Sequence, residues 1–140
     1  MSLKAKRFGL SCAITTPMQA DGTVDLARLA HHAKHVLAGG CDSVTLFGTT
    51  GEGAGLTTRD RALMMGAVLG AGLDPDKQLL AGIAAPALDD AVQQARMAID
   101  ARCRGLLVLP PYYFKGLDDD GLFAWYAEFI EKLQGQARGV

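Results

Sequence analysis

The 140-residue chain carries a formal net charge of −1 and is 49% hydrophobic with mean hydropathy +0.14. That is the composition of one soluble globular domain and excludes a disordered or fibrous chain. Lysine and arginine nowhere cluster, so the basic footprint that a nucleic-acid partner requires is missing.

Lys4, Lys6 and Arg7 precede an apolar stretch that Ser11, Thr15, Thr16 and Pro17 interrupt, which reads as neither a signal peptide nor a membrane span. Phe8 to Ile14 predicts a short buried strand that ends in the Thr15-Thr16-Pro17 loop. Asp21-Gly22 marks a turn, after which Leu26, Leu29, Ala30, Ala33, Val36 and Leu37 recur at helical spacing. Asp25 stands where a cap is needed, and Gly39-Gly40 stops the helix. Ser43 to Phe47 predicts the second strand, which delivers the chain into Gly48-Thr49-Thr50-Gly51-Glu52-Gly53. Thr57-x-x-Asp60 is a capping-box variant opening a helix whose stripe is Ala62, Met65, Val68 and Leu69.

Asp74-Pro75-Asp76-Lys77 predicts a surface turn, Leu79 to Ile83 a third strand, and Ala91, Ala95, Ala98 and Ile99 an Ala-rich helix. Gly105 to Leu109 predicts the fourth strand, opening into Pro110-Pro111-Tyr112-Tyr113-Phe114-Lys115-Gly116. Asp118, Asp119 and Asp120 put negative charge at the start of a last helix, where the macrodipole favours it. Its stripe is Leu122, Trp125, Tyr126, Phe129, Ile130 and Leu133, and Gly135 to Val140 reads as a linker.

Successive strand-helix units imply parallel strands joined by right-handed crossovers. An open doubly wound sheet of flavodoxin type and half of a (β/α)8 barrel both fit. A complete barrel takes about 250 residues, so four units in this length match its half. No Gly-rich dinucleotide fingerprint follows the first strand, and the polar turns fall at the C-terminal ends of strands one, two and four, which favours the barrel.

The Gly48 to Gly53 turn is the leading candidate site. Small polar residues between a strand and a helix leave backbone N–H groups free for an anion, and Thr49 and Thr50 add hydroxyl donors at the same spot. The same residues also suit a plain tight turn whose threonines satisfy local backbone groups. A P-loop is excluded, because Ala54-Gly55 follows Gly53 where a lysine and a hydroxyl would have to stand. Tyr112 and Tyr113, behind two prolines, suit either an aromatic rim or a hydroxyl that passes protons to a bound substrate.

His31 and His35 stand one helical turn apart, but the apolar stripe puts them on the solvated side and no glutamate lies between them, which argues against a metal. The three consecutive aspartates read as a solvated helix start, and Lys115 beside them as an exposed loop residue without the desolvated pocket an imine-forming lysine needs. Cys12, Cys41 and Cys103 show no C-x-x-C spacing and suit a reducing cytoplasm as small core or loop residues.

Thr15-Thr16-Pro17-Met18, Gly48-Thr49-Thr50-Gly51-Glu52 and Pro111-Tyr112-Tyr113, in this order at three strand ends, resemble the dihydrodipicolinate synthase and N-acetylneuraminate lyase family. The resemblance runs over essentially the whole chain. It implies a (β/α)8 TIM barrel of which this chain, 1–140, is the N-terminal half with its first four βα units. It further implies a cytoplasmic class I aldolase or lyase, a homo-oligomer (dimer or tetramer), acting on pyruvate or a related 2-oxo acid through a lysine Schiff base. No metal or organic cofactor, nucleic acid or membrane is implied. Thr49 and Thr50 would hold the substrate carboxylate, Thr49 would join a proton relay, and Tyr113 would enter the neighbouring subunit's site. Glu52 would order the turn.

The family's Schiff-base lysine lies near the end of strand six and a second catalytic tyrosine near the end of strand five. None of Lys4, Lys6, Lys34, Lys77, Lys115 or Lys132 matches the nucleophile. The 140 residues are therefore expected to be inactive alone, as a fragment of a longer enzyme or a half that pairs with a second half. Unpaired first and last strands favour self-association. Phe114-Lys115-Gly116 departs from the Asn-Arg-Pro common in the synthases, so a 2-keto-3-deoxy sugar-acid aldolase and a noncatalytic half-barrel that binds a small carboxylate stand as alternatives.

Overall fold

The computed structural model describes residues 8–134. Strands β1 (Ser11–Ala13), β2 (Ser43–Leu46), β3 (Leu79–Ile83) and β4 (Gly105–Val108) form one sheet in the order β1-β2-β3-β4. Every pairing is parallel, with Ser11 opposite Ser43, Val44 opposite Leu79 and Leu80 opposite Gly105. Helices α1 (Leu26–Ala38), α2 (Thr58–Gly70), α3 (Pro75–Gln78), α4 (Leu88–Asp100) and α5 (Asp119–Leu133) fill the connections.

Alternation along the strands separates two unlike faces. Val44, Leu46, Leu79 and Ala81 pack against Leu29 and Ala33 of α1 and Met64, Met65 and Val68 of α2. Ile83 and Val108 pack with Ala91, Val92 and Ala95 of α4 and Phe129 and Leu133 of α5. The opposite face carries Ser11, Ser43, Thr45 and Gly82 together with Leu80 and Leu107, and the Ser11 and Thr45 hydroxyls meet there at 3.0 Å. Neighbours in sequence are neighbours in the sheet, and these four helices share one face. A doubly wound sheet places helices on both faces and reverses strand order at a switch point; this chain has the arrangement of the N-terminal half of a TIM barrel.

The helix starts follow their sequence signals. The Asp25 carboxylate accepts from the Arg28 N–H at 2.9 Å, and that of Asp118 accepts from the Gly121 N–H at 2.7 Å. Thr57 and Asp60 close a reciprocal capping box at α2.

Several expectations need correction. The first strand is three residues long and half-buried rather than a run from Phe8, because β1 is an edge and Phe8 and Leu10 stay exposed. The fourth ends at Val108, with the Leu109 N–H bonded to the Ile83 carbonyl outside the strand proper. The turn expected at Asp74 to Lys77 includes a single helical turn that starts on Pro75, where a missing N–H costs nothing. The stripe of α2 is shifted by one residue: Ala62 is exposed, while Arg61, Met64, Met65 and Val68 are buried. In α5, Phe129 and Leu133 are buried, but Ile130 is 45% exposed on the outer side. The linker expected at Gly135 to Val140, and Lys4 and Lys6, lie outside the described residues.

Candidate active site

Because all strands run in parallel, their C-terminal ends share one edge. That edge receives Thr15 and Thr16 after β1, the Gly48 to Gly53 turn after β2, Ala84 and Ala85 after β3, and the Pro110 to Gly116 segment after β4. The second turn is the most constrained part. It opens on Phe47 at φ 62 and closes through Glu52 at φ 56, both left-handed conformations that ordinary side chains rarely adopt. The Gly53 N–H donates to the Gly48 carbonyl at 3.0 Å and the Glu52 N–H to the Thr49 carbonyl at 3.1 Å.

Three glycines are required by close approach. A Cβ at Gly53 or at Gly82 of β3 would overlap the Phe47 carbonyl oxygen, and one at Gly51 would stand 2.8 Å from the Ile14 carbonyl oxygen. The turn is thus folded onto the ends of β1 and β3, while Thr49 and Thr50 remain exposed on its crest. Thr49, Glu52 and Gly53 line a groove of about 310 Å³ shared with Ala84 and Leu109.

Two buried side chains hold the turn from below. The Thr16 hydroxyl donates to the Gly51 carbonyl at 2.7 Å. Arg61, 1% exposed, donates from Nη2 to the Gly53 carbonyl at 2.8 Å and from Nη1 to the Gly82 carbonyl at 2.9 Å. Its guanidinium lies 4.8 Å from the centre of the Phe47 ring, a cation–π distance. Burial pushes the Arg61 pKa down to about 10, with the nearby Tyr112 acting in the other direction, so the side chain stays charged at neutral pH. Arg61 was missed because arginine is not read as a stripe residue. The spacing contained the signal, since Arg61, Met64, Met65 and Val68 stand at i, i+3, i+4 and i+7.

Glu52 does not order the turn through its side chain, which is exposed and makes no capping bond. Its backbone does, taking the left-handed position and accepting from the Gly55 N–H at 2.9 Å. Tyr113 is 72% exposed, with its ring edge-on to Phe114 at 5.5 Å; among the described residues no hydrogen bond joins it to Thr49 or Thr50. Lys115 is exposed and donates to the Tyr112 carbonyl at 3.3 Å.

His31 and His35 are exposed, as the stripe of α1 predicts, and with Arg28 and His32 they line a separate groove of about 440 Å³ beside Thr15 and Pro17. Among the described residues no three His, Cys, Asp or Glu side chains converge as a metal-ligand set, and no helix is long and apolar enough to cross a membrane.

Comparison with known proteins adds to this geometry. Residues 6–135 match the model of the dihydrodipicolinate synthetase family. A 4-hydroxy-tetrahydrodipicolinate synthase of Corynebacterium urealyticum is 36% identical over 130 residues, which are 92% of this chain and 43% of that protein. The crystal structure of a dihydrodipicolinate synthase from Agrobacterium tumefaciens superposes with a TM-score of 0.91 at 44% identity, over 95% of this chain and 46% of that one. An N-acetylneuraminate lyase of Proteus mirabilis superposes at 0.78 with 27% identity, over 92% and 43%. The chain spans about half the length of the relatives it matches. It belongs to the dihydrodipicolinate synthetase family.

Proposed function

We propose that this chain, residues 1–140, is the N-terminal half of the barrel domain of a class I aldolase or lyase, and supplies its carboxylate-binding part. The substrate is pyruvate or a related 2-oxo acid, and the nucleophilic lysine lies outside these residues. That amine adds to the keto carbon, water leaves and an imine forms; loss of a proton from the adjacent carbon then gives the enamine. Thr50 and the backbone N–H groups beside it bind the carboxylate, because an anion requires converging donors. Thr49 both binds and relays protons, as a hydroxyl donates and accepts. Tyr113 completes the relay in the neighbouring subunit of a cytoplasmic homo-oligomer, with no metal or organic cofactor.

The observation that carries this reading is the pair of exposed threonines on a turn fixed from beneath by buried Thr16 and Arg61. Borohydride treatment of the full-length gene product with pyruvate tests it. A covalent adduct of reduced pyruvate on one lysine is expected, and its absence would sink the mechanism.

Within the family, action on a 2-keto-3-deoxy sugar acid is supported by Phe114-Lys115-Gly116 after Tyr113. A noncatalytic half-barrel that binds a small carboxylate is a reading of another class. It keeps the exposed Thr49-Thr50 anion site and uses no lysine nucleophile. Pyruvate binding by the 140-residue chain without adduct, lost in Thr50→Ala, would support it.

A further inference from the structure

Resting on the carboxylate-binding reading of the Thr49-Thr50 turn, we propose that Arg61 is the positioning residue of that turn and sets the affinity for the 2-oxo acid without touching it. Its contacts fall on the two stems of the turn and on the strand beside it. The guanidinium lies over the ring of Phe47, which enters the turn, and binds the carbonyl of Gly53, which leaves it. Its second amino group binds Gly82 of β3. One planar fork therefore fixes entry, exit and neighbouring strand together, as two separated donors in a rigid plane allow and a single ammonium does not.

Packing alone does not explain the residue. Met64, Met65 and Val68 already seat α2 on the sheet, and a fully buried cation carries a desolvation cost that an apolar side chain of similar length avoids. Part of that cost is uncompensated here, since the buried Nε–H has no partner among the described residues. What the charge supplies and a methionine would not is satisfaction of the Gly53 and Gly82 carbonyls. Without it Gly53 keeps only the longer 3.4 Å bond from the Leu56 N–H, both carbonyls lose their guanidinium donor, and Gly53 cannot shift without moving the crest that presents Thr49 and Thr50.

The test compares the full-length wild type, Arg61→Met, Arg61→Lys and Arg61→Ala in borohydride trapping of pyruvate. It reads the half-saturating pyruvate concentration, the limiting trapping rate and Tm separately. Arg61→Met is expected to raise half-saturation at least about tenfold with the limiting rate within about threefold. Arg61→Lys, able to reach one carbonyl, falls between, and millimolar guanidinium restores the affinity of Arg61→Ala.

An unchanged half-saturation in folded Arg61→Met, or a loss confined to Tm and the active fraction, overturns the role of Arg61. Should Arg61→Met fail to fold, Arg61→Lys decides in the same way. Absence of any adduct with the wild type overturns instead the aldolase reading on which the role rests.

Discussion

The Thr16 hydroxyl donates a 2.7 Å hydrogen bond to the carbonyl of Gly51 with Thr16 only 7% exposed, so the loop after β1 holds the turn after β2. The two residues are brought together by the parallel pairing of β1 with β2, which puts both strand ends on one edge.

Thr16→Val keeps the shape and removes the donor. The Gly51 carbonyl is then buried without a partner, a loss of about 1–2 kcal/mol. Urea denaturation is expected to show a lower midpoint at unchanged slope, whereas Thr16→Ser, which keeps the hydroxyl, stays close to wild type. Equal midpoints for the valine and serine variants would mean the bond carries nothing.

Two glycines two residues apart differ sharply in what they tolerate. At Gly53 an added Cβ overlaps the Phe47 carbonyl, while at Gly55 it meets nothing within 4 Å. Gly53→Ala is expected to cost roughly 3 kcal/mol or more, because backbone at Phe47 must move to admit the methyl. Gly55→Ala should fall within about 0.5 kcal/mol of wild type. Thermal unfolding of both variants reads the difference directly.

The strand-turn-helix order was legible because β3 and β4 are short apolar runs, β2 alternates Ser43 and Thr45 with Val44 and Leu46, and polar or Gly- and Pro-containing segments separate them from the helices. Asp25, Thr57 and Asp60 act as the caps their spacing announces, and Asp118, expected only as charge at a helix start, caps α5 as well. The one-sided helix layer was legible only as a preference, since periodicity names a buried face without saying which elements share it. Arg61 was hidden by its type. A charged residue at a stripe position becomes intelligible only when the strand end at Gly82 and the turn at Gly53, 21 and 8 residues away, are seen to converge on it. The short β1 was also unreadable, because Phe8 and Leu10 are as apolar as residues of a buried strand and differ only in staying exposed, with the Arg104 guanidinium 4.6 Å from the centre of the Phe8 ring.

Acid should act on the start of α2. The Asp60 carboxylate accepts from the Thr57 hydroxyl at 2.6 Å and from its N–H at 3.1 Å, and these bonds, the hydroxyl first, hold its pKa below the usual carboxylate value. A depressed folded pKa gives stability that is present above the unfolded value and is lost as pH falls through the folded one. Thr57→Ala removes both the cap and the hydroxyl bond, so it should cost about 1 kcal/mol at neutral pH. The difference from wild type should shrink as pH falls below the unfolded carboxylate pKa. Urea midpoints of both proteins across the acid range measure this; a constant gap down to the lowest pH would contradict the linkage.

Tyr113 offers the sharpest test of how sites are shared. It is 72% exposed at the mouth, and the proposed role puts it in the site of another subunit. In the full-length gene product, Thr49→Val and Tyr113→Phe should each lower kcat by about 10²–10⁴, the range for a lost proton-transfer group. Mixing the two inactive variants by co-refolding separates sharing from self-sufficiency. In a mixed pair the Tyr113→Phe subunit keeps its own Thr49 and receives an intact Tyr113 from its partner, so one of the two sites is complete. Random pairing makes half the dimers mixed, so about a quarter of wild-type activity should return. If Tyr113 serves its own subunit, every site retains one lesion and mixing restores nothing.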